Sequence, residues 1–206
     1  MTFPNQHYGV IGAFADDYFD HFAGAAASVD RAALAAAADL LSRTYASGGT
    51  VFACGNGGSA AISNHLHCDH LKGVQTDTDL RPKVVSLSST IETITAIAND
   101  IGYDEVYVYQ LRTLAEAGDV LISVSSSGNS ENIVRSCQWA KDNGVGTIAM
   151  TGFEGGRSAA IADINLHVDA DNYGVVEDVH QSLMHILAQY VRQAHMDAAL
   201  IPERKF

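Results

Sequence analysis

Two short runs of side chains could carry acid–base or metal chemistry. His65 and Asp69 lie four residues apart, and Glu177, Gln181 and His185 repeat that spacing. On a helix, residues four apart share a face. If both runs are helical, they offer two imidazoles and two carboxylates, a donor set that suits zinc or another divalent cation. Either run taken alone reads more readily as a polar pair on a solvated face. The nearby histidines have humbler readings. His67 falls off the face of His65 and reads as packing or surface. His70 reads as an outer contact to the site, and His180, three residues after Glu177, could orient a neighbouring group.

Two loops could bind an anion. Cys54-Gly-Asn-Gly-Gly-Ser59 follows the apolar run Thr50-Val51-Phe52-Ala53, and Ser125-Ser-Ser-Gly-Asn-Ser130 follows Val120-Leu-Ile-Ser-Val124. Glycines let backbone approach a ligand without a Cβ in the way. The start of a helix presents unpaired N–H groups and the positive end of its dipole, which favours phosphate. Ser125, Ser126, Ser127 and Ser130 add hydroxyl donors, giving a phosphate cradle made of neutral groups. The first loop is not a dinucleotide G-x-G-x-x-G and no G-K-[ST] follows, which excludes a Walker A loop. The rival reading is that Gly, Ser and Asn only make turns. Two such loops, each following a strand, favour the ligand.

The elements that must position these groups alternate from residue 49 onward. Short apolar runs at Thr50–Cys54, Lys83–Leu87, Val120–Val124, Gly146–Thr151 and Ile164–Val168 read as buried parallel strands. Helical stretches fall between them at Ala60–Leu71, Ile91–Ala98, Asp104–Glu116, Ser130–Asn143 and Arg157–Ile161, with a final helix from about Val175 to Ala199. Strand–helix alternation predicts a doubly wound α/β sheet, whose carboxyl edge is where ligands bind. Residues 8–47 show only helical signals. Phe14, Tyr18, Phe19 and Phe22 recur at three- and four-residue spacing, Asp30 is a helix N-cap, and Ser47-Gly-Gly49 ends the second helix. Residues 1–48 therefore read as a helical extension suited to oligomerisation, and 49–206 as the ligand-binding domain.

The bulk properties narrow the partners. The 206 residues are 47% hydrophobic with a formal net charge of −12. That charge argues against broad contact with nucleic acid or anionic lipid, though not against one small anion held locally. No apolar run approaches the ~18 residues of a membrane span. Three cysteines without a C-x-x-C pair fit a reducing compartment, and the start of the chain lacks the pattern of a signal peptide. The expectation is a cytoplasmic protein. Cys54 and Cys68 read as small buried residues, and Tyr107, Tyr109 and Trp139 as packing.

The combination of C-G-N-G-G-S, Asn99-Asp100, S-x-S-G-N-S and a late helix with spaced polar residues resembles the sugar isomerase (SIS) family, and within it the phosphoheptose isomerases. The resemblance implies a flavodoxin-like sheet of five parallel strands and a homotetramer with active sites at subunit interfaces. It implies interconversion of sedoheptulose 7-phosphate and an aldose heptose 7-phosphate, feeding lipopolysaccharide or another heptose-containing glycan. On this analogy Asn56, Gly57, Gly58, Ser59, Asn99 and Asp100 border the sugar, and Ser125, Ser126, Ser127 and Ser130 hold its phosphate. His65, Asp69, Glu177 and His185 would form a zinc site, with Glu177 also facing substrate. Asp69 would be the base or base partner and His185 the second acid/base for an enediolate mechanism. Two residues depart from the family's habit: Asp69 stands where glutamate is usual, and Glu177 where glutamine is usual. The alternatives are a non-catalytic binding protein of the DnaA initiator-associating type, and an isomerase or sensor for another phosphosugar. His65 and His185 favour an enzyme, and the 48 non-basic leading residues leave no evident DNA-binding module.

Overall fold

The computed structural model describes residues 2–206. Five parallel strands form one sheet in the order β2-β1-β3-β4-β5: β1 (Thr50–Gly55), β2 (Lys83–Ser86), β3 (Val120–Ser125), β4 (Gly146–Thr151) and β5 (Ile164–His167). All five runs expected as strands are strands, with ends shifted by one residue at most. Side chains alternate across the pleat, and both faces are apolar. Val51, Ala53, Val120, Ile122 and Val124 join one buried cluster, and Phe52, Cys54 and Leu121 join the other. Cover on both faces explains why these strands lack hydrophobic–polar alternation.

Helices α1 (Ile11–Ser28), α2 (Arg31–Ser47), α3 (Gly58–Cys68) and α8 (Tyr173–His195) lie over the first face. Helices α4 (Ile91–Asp100), α5 (Val108–Leu114), α6 (Glu131–Asp142) and α7 (Gly156–Ile161) lie over the second. Asp30 caps α2 as expected, its side chain accepting from the Ala32 N–H over 2.8 Å. Gly48 closes the helix in the left-handed conformation. The leading helices are part of the main core: Ala25, Val29, Ala37, Ala38 and Leu41 bury against the same cluster as Leu183, Leu187 and Val191 of α8.

Three expected helices differ in form. α3 runs on as a π-helical turn, Asp69–Val74, instead of ending near Leu71. The stretch 104–116 is a 3-10 turn, Tyr103–Glu105, followed by the short α5. The last helix stops at His195, and a 3-10 turn at Ala198–Glu203 carries the chain back along it. Met196, at this bend, makes an antiparallel bridge to Thr78.

Candidate active site

The strand order reverses direction between β1 and β3, and a parallel sheet opens a crevice at such a point. The register places Gly55 beside Val124, so the loops that follow, 56–59 and 125–130, are neighbours. A cavity of about 120 Å³ lies there, lined by Asn56, Ser59, Ser125, Ser126, Ser127, Ser130, Tyr173 and Glu177. Its size suits a phosphate group rather than a whole sugar.

The serine loop holds its shape through its own bonds. The Gly128 N–H donates to the Ser125 carbonyl over 3.1 Å and to Ser125 Oγ over 3.2 Å. Gly128 has φ +61°, and a Cβ there would strike the Gly155 carbonyl. Two hydroxyls stay uncommitted. Ser130 is the N-cap of α6 but makes no side-chain cap bond, and Ser126 Oγ is buried without a partner. A buried hydroxyl without a partner is costly in an apoprotein and is accounted for when a ligand supplies the bond.

Along α8, beyond this cavity, stands the acid–base cluster. The His185 Nδ1–H donates to Asp69 Oδ2 over 2.8 Å, and His65 Nε2 lies 3.3 Å from Asp69 Oδ1. The Gln181 amide nitrogen sits 3.0 Å from His65 Nδ1 and 3.0 Å from His185 Nε2. With both imidazoles neutral, each N–H points to the carboxylate and each lone pair faces the amide. One ligand atom from each of His65, Asp69 and His185 can be chosen so that all lie within 4.8 Å of one another. Two imidazoles and a carboxylate so gathered fit a divalent cation. A groove of about 480 Å³ opens over them, walled by Lys72, Gly73, Arg192, Lys205 and Phe206 as well.

Glu177, expected as the fourth metal ligand, is placed elsewhere. It does not join the three ligands; its carboxylate lies against Gly58, where a Cβ would collide with it, and lines the serine cavity. Burial, with Asp178 beside it, raises its pKa above the usual carboxylate value. The reason for its separation is axial: eight helical residues from Glu177 to His185 span about 12 Å. Asn99 and Asp100, expected at the substrate, are exposed and bond to each other over 2.7 Å. Gly57 is exposed, with φ +55°, at the turn into α3.

The other histidines fall behind the site. His70 is fully buried and bonds through Nδ1 to the Tyr45 hydroxyl at 2.7 Å. His180 is buried with neither ring nitrogen partnered, and His67 is half-buried. Burial lowers the pKa of His70 and of His180 to about 4. Cys54 is buried as expected, whereas Cys68 is exposed. Sequence reasoning missed Tyr103 and Asn132, and it read Tyr107 as packing alone. Tyr107 does bury its ring, but its hydroxyl also bonds the Gly55 carbonyl and approaches Asn56. The overlooked signal lies just after each motif: Tyr103 follows Asn99-Asp100, and Asn132 follows the serine loop.

The fold and this site define an α/β phosphosugar-binding architecture, and the model of the SIS domain matches residues 17–152. The chain belongs to the SIS domain family. Among its relatives, a phosphoheptose isomerase of Colwellia psychrerythraea is 36% identical over 159 residues, covering 76% of this chain and 78% of that protein. The phosphoheptose isomerase of Nitratidesulfovibrio vulgaris is 38% identical over 146 residues, covering 70% of this chain and 69% of its own length. The structure of the phosphoheptose isomerase of Neisseria gonorrhoeae superposes with a TM-score of 0.81 at 30% identity, over 88% of this chain and 98% of that one.

Proposed function

We propose that this chain is a phosphoheptose isomerase, interconverting sedoheptulose 7-phosphate and the aldose D-glycero-D-manno-heptose 7-phosphate. The observation that carries the reading is the convergence of His65, Asp69 and His185 from two helices, on the same α8 whose first turns line the serine cavity. Identity to enzymes of that name supports the choice of reaction.

The reaction moves a proton between adjacent carbons through an enediolate, so it needs a base and a group that steadies the negative oxygen. The serine loop and the start of α6 hold the phosphate, and that binding energy aligns the distant reacting carbons. Asp69 takes the carbon-bound proton or orients His185 to do so. The 2.8 Å bond orients the His185 ring, and its Nε2 can exchange a proton with a sugar oxygen once the Gln181 amide, 3.0 Å away, turns aside. Glu177, whose pKa is raised by burial and by Asp178 beside it, lines the cavity in which the phosphate would sit. A divalent ion, zinc in our reading, would be held by His65, Asp69 and His185 and would supply Lewis-acid polarisation of the carbonyl.

We place the active enzyme in a homotetramer in the cytoplasm, with active sites at subunit interfaces. Val10 just before α1, Ile11 and Phe19 on α1, and Ile186 and Tyr190 on α8 are exposed apolar side chains that a second copy would cover. The three cysteines are free, and no described helix is long and apolar enough to cross a membrane.

Incubation of the purified protein with sedoheptulose 7-phosphate, followed by NMR of the anomeric protons, tests the reaction. The aldose should appear with wild type and not with His185→Ala, which should still bind the phosphosugar. Undiminished turnover by His185→Ala removes that residue from the mechanism, and an inactive wild type removes the reaction.

A further inference from the structure

The side chain of Asn56, at the tip of the first loop, is held by two residues from other parts of the chain. Asn132, in the first turn of α6, forms a reciprocal amide pair with it. Asn56 Nδ2 donates to Asn132 Oδ1 over 2.9 Å, and Asn132 Nδ2 donates back to Asn56 Oδ1 over 3.0 Å. The Tyr103 hydroxyl donates to the same Asn56 Oδ1 over 2.8 Å. Tyr107 approaches at 3.1 Å, but its single proton goes to the closer Gly55 carbonyl. Tyr107 therefore fixes the backbone just before Asn56 and leaves the amide to the other two.

The proton count is informative. Asn56 Oδ1 accepts from Tyr103 and Asn132, which fills its two lone pairs. Asn56 Nδ2 spends one of its two hydrogens on Asn132, and no second acceptor lies within reach of the other among the described residues. Asn56 lines the serine cavity, so one N–H is left to serve a ligand there. Asn132 is 1% exposed, and its amide is bound on both sides by Asn56. The pair also joins the loop after β1 to the helix that starts at the serine loop, which sets the spacing of the two ligand loops.

We propose that Tyr103 and Asn132 are positioning residues that hold the Asn56 amide in the one orientation presenting its unspent N–H to the phosphosugar. Without them the amide can rotate and offer its carbonyl oxygen instead, an acceptor facing an anion. This rests on the phosphosugar reading of the cavity.

The test is a double-mutant cycle read by calorimetric binding of sedoheptulose 7-phosphate and, separately, by turnover. Tyr103→Phe removes one hydroxyl from a residue that is 54% exposed, so its folding is secure. Tyr103→Phe and Asn132→Ala should each weaken binding about 10-fold, and each should cost less than about 2-fold once Asn56→Ala is in place. A merely structural role would lower stability without this coupling. Full wild-type affinity in Tyr103→Phe, or effects that add in the Asn56→Ala background, overturns the proposal. A wild type that binds without turnover overturns the isomerase reading alone, with the cycle still read on affinity. A wild type that does not bind the sugar overturns both.

Discussion

His185 and Asp69 are joined by a 2.8 Å hydrogen bond across the gap between α8 and the start of the π-helical turn. The bond fixes which imidazole nitrogen carries the proton and which one faces Gln181. Asp69→Asn keeps the volume but loses the charge and one acceptor. The expected result is a fall in kcat of about 100-fold or more, with KM for the phosphosugar changed only a few-fold, because the serine loop is untouched. Initial rates over a range of substrate concentration read both numbers. A kcat within threefold of wild type takes Asp69 out of the chemistry.

Ser126 should show the opposite division. Its hydroxyl is buried and unpartnered in the free protein, so Ser126→Ala removes a desolvated group that had no bond to lose. Stability of the free protein should be unchanged or slightly higher. Affinity for the phosphosugar should fall by about 10-fold, the scale of one hydrogen bond to a charged group. Urea unfolding and calorimetric titration read the two effects. Lower stability with unaltered affinity would mean that the hydroxyl is structural.

These two residues also mark what the sequence makes legible. His65, Asp69 and His185 are readable because helical spacing puts each on a known face, and the loops because glycine and serine clusters follow apolar runs. Spacing alone says nothing of axial distance between partners on two helices. It could not tell that Gln181, not Glu177, would stand between the imidazoles. Tyr103 and Asn132 lie 47 and 76 residues from Asn56, and only the tertiary fold, with β1 and β3 paired side by side, brings them together. The π-helical turn was hidden for another reason: Leu66, His70 and Val74 repeat at four residues, a pattern that an ordinary α-helix satisfies equally.

The serine loop depends on Gly128 having no side chain. Its φ of +61° disfavours any L-residue, and a Cβ would run into the Gly155 carbonyl, which is backbone and cannot swing aside. Gly128→Ala should therefore destabilise the fold by about 2 kcal/mol or more and abolish phosphosugar binding. Gly57→Ala is the control. It also has positive φ but meets nothing within 4 Å, so its cost should be smaller. Denaturant midpoints for the two variants give the comparison, and equal losses would place the cost in backbone strain alone.

Two buried histidines set an acid limit on stability. His70 and His180 are neutral in the fold, with pKa values lowered to about 4 by burial, against the ordinary 6.5 of an exposed imidazole. As the pH falls below 6.5 the unfolded chain takes up protons that the folded chain refuses. Their contribution to stability is complete above that pH and is lost progressively down to about 4. Urea midpoints at pH 7.5, 5.5 and 4.5 should fall in that order, and His180→Leu should flatten the slope. A midpoint that rises on acidification contradicts the burial of these rings in neutral form.

The metal reading separates from the phosphate reading by composition. Two imidazoles and a carboxylate within 4.8 Å would, on the proposed reading, bind a divalent ion without help from the serine loop. Protein purified without chelator should carry about one such ion per chain by elemental analysis. His65→Ala removes one ligand of three and should empty the site. Ser126→Ala should keep it full, because Ser126 lies in the other cavity. Glu177→Gln should also keep it full if the ligands are only His65, Asp69 and His185. Loss of the ion in Glu177→Gln would mean that the carboxylate swings about 12 Å's worth of helix toward the cluster or meets it across a subunit boundary, and the three-ligand assignment would fall.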